Sequence, residues 1–289
     1  MPEDIWGYLE KRKASRSTFG LKELDRVARG IHNHEIMTIG ARTSHGKTVL
    51  CLQLVLRWLE QKKKIVLFSN EHSVEYVKAR MASQYLGKYT AEDILELRIS
   101  DDDKILYDDF WKYITSMPLK IYATGEGKSI AKVVAAYHKD KPDIILIDHV
   151  QMIRDEGNKD KRRQMDEFLN GIKDLVESNP VASVLISQCG RKVAERRFFL
   201  PNLVDLKETG SLEELSDIVL LLSWPWKAKS ALHVFDKKIS DEDFAEDEFF
   251  IDVAKNRNGK TECIEVRFNT GNLKFEDIAV SQERKHYEP

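Results

Sequence analysis

Apolar runs and amphipathic stretches alternate along this chain. Short runs rich in Ile, Leu and Val occur at Glu35–Gly40 (EIMTIG), Lys64–Ser69 (KIVLFS), Leu119–Thr124 (LKIYAT), Asp143–Asp148 (DIILID), Val184–Gln188 (VLISQ), Ile218–Ser223 (IVLLLS), Phe250–Ala254 and Cys263–Phe268. Several are unbroken rather than alternating, as expected of strands buried on both faces of a parallel sheet. Helical patterns lie between them, notably at Thr48–Lys62, Ser73–Leu86, Ser129–Lys139 and Gln164–Ser178. Strand–helix–strand order throughout predicts an α/β fold with a mainly parallel central sheet flanked by helices. The sequence carries no internal repeat.

Two segments stand outside this alternation. Pro2–Lys13 predicts a short helix, with Glu3 and Asp4 in its first turn and Lys11-Arg12-Lys13 at its end, each sign matched to the helix dipole. Ile5, Tyr8 and Leu9, with Trp6 beside them, give it an apolar face. That face packs either on the chain's own core or on a neighbouring subunit. Ser240–Glu248 (SDEDFAEDE) predicts a solvated acidic loop.

Composition narrows the function classes. With 289 residues and 42% hydrophobic content the chain can bury a large core, and 14 Gly and 7 Pro exclude collagen-like or low-complexity readings. The 46 Lys+Arg against 48 Asp+Glu leave a net charge of −2, so any nucleic-acid binding must use a local patch. Cys51, Cys189 and Cys263 are far apart and lack CxxC or Cys/His ligand spacing, which fits a reduced, cytoplasmic compartment. The acidic N-terminus has no secretory apolar region, and no run approaches about 18 apolar residues. No membrane partner is expected.

The strongest chemical signal is Ala41-Arg42-Thr43-Ser44-His45-Gly46-Lys47-Thr48, which follows an apolar strand and opens an amphipathic helix. That is the setting of a phosphate-binding loop: backbone N–H groups surround the phosphates and the helix dipole favours their charge. Lys47 adds a cation for the β- and γ-phosphates, and Thr48 offers a hydroxyl to Mg²⁺. Ala41 stands where the general pattern has Gly. Asp148 ends a buried strand at the carboxyl edge of the sheet, where it can hold the Mg²⁺ through its water shell. Glu71, just past the strand Lys64–Ser69, projects over the same edge; it either activates the attacking water or serves as a first-turn Glu of the next helix. Gln188 ends its own strand and either senses the γ-phosphate or is structural.

With these residues in place, the chain resembles the RecA-like ATPase core of DnaB-type replicative helicases and the helicase half of phage primase-helicases. The resemblance runs from about Ser17 to about Asp277. It rests on GARTSHGKT, FSNEHS with Glu71, IILIDHVQMI with Asp148, LISQCGR with Gln188, DLKETGSLEELSDIVLLL (Asp205–Leu222) and AKNRNGKT (Ala254–Thr261). It implies a RecA-like P-loop NTPase core using ATP and Mg²⁺. It also implies a homo-hexameric ring that translocates on single-stranded DNA, 5′ to 3′ on the encircled strand, during replication. A primase or a helicase loader is the further partner implied, in a bacterial cytoplasm or, for a phage protein, that of the host.

The same resemblance assigns roles that residue patterns alone do not. Lys255 and Arg257 match residues that reach the γ-phosphate of an adjacent subunit; Asn258-Gly259 between two strand patterns predicts a tight hairpin turn presenting them outward. A basic solvated turn is the alternative. Lys207, Glu208 and Gly210 match a DNA-contacting loop, with Lys207 where the family commonly has Arg, keeping charge but losing the planar fork. Basic clusters at Lys159, Lys161, Arg162 and Arg163, and at Arg191, Lys192, Arg196 and Arg197 before Phe198-Phe199, are further DNA candidates or else solvated faces. Residues 1–16 then read as a linker-like helix and 17–289 as the ATPase core, either a minimal helicase or an excised domain. A RecA-fold recombinase or other DNA-stimulated ATPase is the alternative enzyme, and a non-catalytic nucleotide-binding scaffold the alternative class.

Overall fold

The unbroken apolar runs become strands covered on both faces. The computed structural model describes residues 5–123, 126–153, 160–190, 193, 200–206, 210–227 and 244–278. In chain order these form α1 (Ile5–Ser15), α2 (Lys22–Ala28), β1 (Ile36–Ala41), α3 (Lys47–Glu60), β2 (Ile65–Ser69), α4 (Val74–Leu86), α5 (Ala91–Leu95) and α6 (Asp101–Ser116). They continue with β3 (Leu119–Ala123), α7 (Ile130–Asp140), β4 (Ile144–Asp148), α8 (Lys161–Ser178), β5 (Ala182–Gln188), α9 (Gly210–Leu215), β6 (Ile218–Ser223), β7 (Glu248–Asn256), β8 (Glu262–Asn269) and β9 (Lys274–Glu276).

One nine-stranded sheet runs in the order β3-β2-β4-β5-β1-β6-β7-β8-β9. Every pairing from β3 to β6 is parallel, and those from β6 to β9 are antiparallel. Successive residues of a strand point to opposite faces. Leu67 and Leu146 therefore enter the core under α2–α6, whereas Val66, Phe68, Ile145 and Ile147 enter the one under α7 and α8. Each face has its own apolar cover, which is why these strands read as unbroken runs.

The expected strands form within two residues of their predicted bounds, Thr124 lying outside the described residues. Elements the periodicity did not single out are α2, α5, α6, α9 and β9. The α6 helix carries readable signals: Ser100 accepts from Asp103 N–H as its cap, and Asp101–Asp103 make an acidic first turn. The β9 strand is only three residues long. Its Phe275 joins a cluster with Phe249 and Phe268, at ring-centroid distances of 4.7 and 4.9 Å. Gln53 of α3 clamps the Phe275 backbone, donating to its carbonyl at 2.8 Å and accepting from its N–H at 2.7 Å. The helix after the phosphate loop is thereby tied to the far edge of the sheet.

The α1 helix leaves its apolar face outside the chain's own core: Ile5 is 60% and Trp6 70% exposed, and no residue of the helix is buried. Of the two predicted packings, the one on its own core does not occur. The acidic segment reaches a turn before β7, with residues 240–243 outside the described set. Among the described residues no helix is long and apolar enough to cross a membrane.

Candidate nucleotide site

The carboxyl ends of β1, β2, β4, β5 and β6 converge on one open cleft of about 390 Å³. After β1 the chain turns through Ser44 (φ 63°) and Gly46 (φ 74°), and Gly46 caps α3. A Cβ on Gly46 would lie 2.9 Å from Phe275 Cζ, so glycine is required there by both conformation and space. Lys47 Nζ folds back onto the loop, donating to the carbonyls of Ala41 (3.2 Å) and Arg42 (2.9 Å). Burial lowers its pKa, opposed by Asp148 and Glu71.

Thr48 Oγ1 donates to Asp148 Oδ2 at 2.8 Å. Asp148 is 5% exposed, and burial raises its pKa while the Thr48 hydrogen bond, His149 and Lys47 pull it down. A hydroxyl and a carboxylate at adjacent strand and helix ends are hard oxygen donors, the set that fits Mg²⁺ bound chiefly by phosphates and water. Among the described residues no cluster of three or more His, Cys, Asp or Glu forms a dedicated metal cage.

Glu71 lines the same cleft and its side chain is 53% exposed. The α4 helix begins at Val74 with Ser73 as its cap, so its first-turn acid is Glu75 and not Glu71. The alternative reading of Glu71 as a first-turn residue therefore falls. His149 Nε2 lies 3.7 Å from Glu71 Oε2, and its Nδ1 is 3.0 Å from Gln151 Oε1. The same Gln151 oxygen accepts from Gln188 N–H at 3.1 Å, and Gln151 Nε2 donates to Ser187 Oγ at 2.8 Å. Gln188 in turn donates through Nε2 to Thr43 Oγ1. Glu71, Gln188 and the loop thus belong to one connected polar network.

Residue patterns missed Arg80, His149, Gln151, Trp224 and Phe268, which line or brace this cleft. Trp224 directly follows β6, so the rule that ligands gather at strand carboxyl ends was the available signal. Arg80 gave none, because only the packing of α4 turns it inward; its guanidinium lies 4.9 Å from the Tyr76 ring centroid.

His45 is buried and its Nδ1 accepts from Trp224 N–H at 3.2 Å. Burial first, then Lys47 and Arg42, pushes its pKa down to about 4. The unfolded imidazole titrates near 6.5, so between these values the unfolded chain binds the extra proton. Stability is therefore expected to fall as pH drops from about 6.5 to about 4, by on the order of 3 kcal/mol. Urea unfolding at pH 7 and at pH 4.5 measures the loss, and His45→Gln should remove this share of it.

The finger candidates sit elsewhere. Arg257 Nη1 pairs with Asp217 Oδ1 at 3.0 Å, and Nη2 donates to the Glu214 carbonyl at 2.6 Å. Lys255 Nζ donates to the Glu213 carbonyl, and burial lowers its pKa with Arg257 adding to the effect. Asp217 exchanges hydrogen bonds with Ile36, the first residue of β1. The loop between β7 and β8 spans residues 257–261, five rather than the expected tight two, and its Arg257, with Lys255 near the end of β7, folds back onto the C-terminal carbonyls of α9. Helix C-termini attract cations, which accounts for the difference from the outward presentation.

Of the DNA candidates, Lys207, Glu208, Lys159, Arg191, Lys192, Arg196, Arg197, Phe198 and Phe199 lie outside the described residues. Gly210 opens α9, and Arg162 and Arg163 open α8. Ser211 Oγ donates to Asp166 Oδ1 at 2.7 Å, so the two helix starts are neighbours. Arg163 pairs with Glu167 at 2.9 Å.

A mainly parallel sheet whose first strand feeds a Gly-Lys-Thr loop, faced by a buried Asp on a nearby strand, defines a RecA-like P-loop NTPase core. Within that class the chain belongs to the family of the DnaB-like helicase C terminal domain, whose model matches residues 17–277. It is 26% identical to the replicative DNA helicase DnaB of Helicobacter pylori strain J99, over 90% of this chain and 59% of that protein. It is 25% identical to the replicative DNA helicase DnaC of Bacillus subtilis strain 168, over 90% of this chain and 56% of that one. The chain thus spans little more than half the length of these curated relatives. Two solved structures share the fold at 21% identity. The ATPase domain of G40P superposes with a TM-score of 0.80, covering 95% of this chain and 96% of that one. A DnaB-like replicative helicase, solved with a view to its interactions with primase, gives 0.79, covering 95% and 67%.

Proposed function

We infer that the chain is an ATP-dependent DNA helicase that translocates on single-stranded DNA as a homo-hexameric ring during replication, with each ATP site shared by two neighbours. The observation that carries this reading is the separation of two functional groups along β1. The phosphate loop follows Ala41 at one end, whereas Arg257 is anchored through Asp217 to Ile36 at the other. Six strand residues span roughly 20 Å, too far for Arg257 to serve its own chain's phosphates. It can serve a neighbour's.

In this cycle the loop N–H groups and the start of α3 receive the phosphates, and Lys47 leaves the Ala41 and Arg42 carbonyls to meet them. Thr48 and Asp148 would hold Mg²⁺, which supplies charge neutralisation on the transferring phosphoryl group. Glu71 orients and deprotonates the attacking water, and Lys255 and Arg257 from the next subunit stabilise the developing charge. Gln188 senses the γ-phosphate. Its neighbour Cys189 bridges to Leu206, which directly precedes Lys207 and Glu208 in sequence, a short route from nucleotide to DNA. Lys207, Glu208, Gly210, Arg162 and Arg163 are the residues assigned to DNA, through backbone contacts that carry no sequence information. The α1 helix is the linker-like helix of the unit 1–16, a primase or loader is the further partner, and the chain acts in the cytoplasm.

The test is ATP turnover with and without single-stranded DNA across protein concentration, alongside unwinding of a forked duplex. Turnover per chain should rise with DNA and with concentration. Lys47→Ala should lower it by about 10²- to 10³-fold and abolish unwinding. Concentration-independent turnover overturns the shared site, and open filaments that exchange strands without unwinding favour a recombinase.

A further inference from the structure

The loop bearing Arg257 is anchored to a buried carboxylate that the cycle above does not use. Glu35, directly before β1, is 5% exposed. Its Oε1 accepts from Arg12 Nη2 of α1 at 2.7 Å and from Asn258 Nδ2 at 2.9 Å, and its Oε2 accepts from His32 N–H at 3.0 Å. Its own carbonyl accepts from Ser183 N–H at 3.0 Å, fixing the backbone against β5. A charge so buried persists only when paired and hydrogen-bonded. Arg12 supplies the charge, and Asn258 one of the bonds.

We propose that Glu35 is a positioning residue for Arg257, acting through Asn258, and that α1 shares this anchor through Arg12. The proposal rests on the reading that Arg257 acts in trans. To reach a neighbour's phosphates the guanidinium must leave Asp217 and the Glu214 carbonyl. What then places the loop is the Arg257 N–H bond to the Asp217 carbonyl at 2.9 Å, the Asn256 bond to the Val27 carbonyl at 3.3 Å, and Asn258 on Glu35. Of these, the Glu35 bond is the shorter side-chain tie, it is made by the residue next to the finger, and it ends on a charge. Charge-assisted bonds are the stronger kind. Because Arg12 grips the same oxygen, the seating of α1 bears on where the released finger points.

Mixed chains test this directly. A Lys47→Ala chain keeps its finger but has no working site, and an Arg257→Ala chain keeps its site but has no finger. Mixed on single-stranded DNA, they should regain ATP turnover that neither shows alone. Glu35→Ala placed in the Lys47→Ala chain should cut the regained rate by roughly 10- to 100-fold, as for a displaced catalytic group. Placed in the Arg257→Ala chain it should leave the regained rate unchanged. Asn258 is exposed, so Asn258→Ala tests the same link without risk to folding and should give the same asymmetry. Equal loss in both placements, or no loss in either, overturns the positioning role. Failure of the two parent chains to complement overturns the trans reading and the proposal with it.

Discussion

Arg257→Ala is expected to lower DNA-stimulated ATP turnover by about 10³- to 10⁵-fold, the contribution of an arginine finger to phosphoryl transfer. The fold should survive. The Arg257–Asp217 pair is half exposed on the arginine side, and such pairs contribute roughly 0–1 kcal/mol. Arg257→Lys should recover only part of the rate, because an ammonium keeps the charge but not the fork that spans two phosphoryl oxygens. Titrated into wild-type protein, the variant should lower turnover in proportion to the wild-type fraction, since each missing finger silences one site, a neighbour's, and spares the variant's own. Added Lys47→Ala chains, which bring a finger but no working site, should restore turnover at the variant's sites; no rescue would assign Arg257 a role within its own chain.

Glu71→Gln is expected to lower kcat by about 10²- to 10⁴-fold with little change in KM, the pattern of a group that acts only in the transition state. The substitution keeps size and hydrogen-bonding capacity and removes the basic charge. Glu71 stands at the cleft without belonging to α4, whose cap is Ser73, so helix stability is not at stake. Binding of a fluorescent ATP analogue should be retained alongside the kinetic loss. A variant with full kcat would make Glu71 a lining residue only.

Much of this site was legible before any coordinates. The run Glu35–Gly40, the Gly46-Lys47-Thr48 turn and the carboxylate ending DIILID announce themselves because buried parallel strands must be apolar and their ends must not be. The structure brings Thr48 and Asp148, named by those two patterns, within 2.8 Å of each other. Other features resisted. Three-residue β9 is too short to carry a period, and it exists because Gln53 and an aromatic cluster hold it. The turn at Asn258-Gly259 resembled a tight hairpin, but Asn258 spends its side chain on Glu35, a partner 223 positions away. Arg80 enters the cleft through helix packing that local sequence does not encode. Long-range side-chain bonds are the cause in the first two cases, and helix packing in the third.

The placement of the phosphate loop and Arg257 at opposite ends of β1 also bears on how such chains would count. If Arg257 acts in trans as proposed, each chain offers one finger and needs one. In a head-to-tail row such contacts do not terminate themselves. Any open row of chains holds one fewer complete site than it has members, with an unserved nucleotide at one end and an idle Arg257 at the other. Closing such a row into a circle leaves neither over.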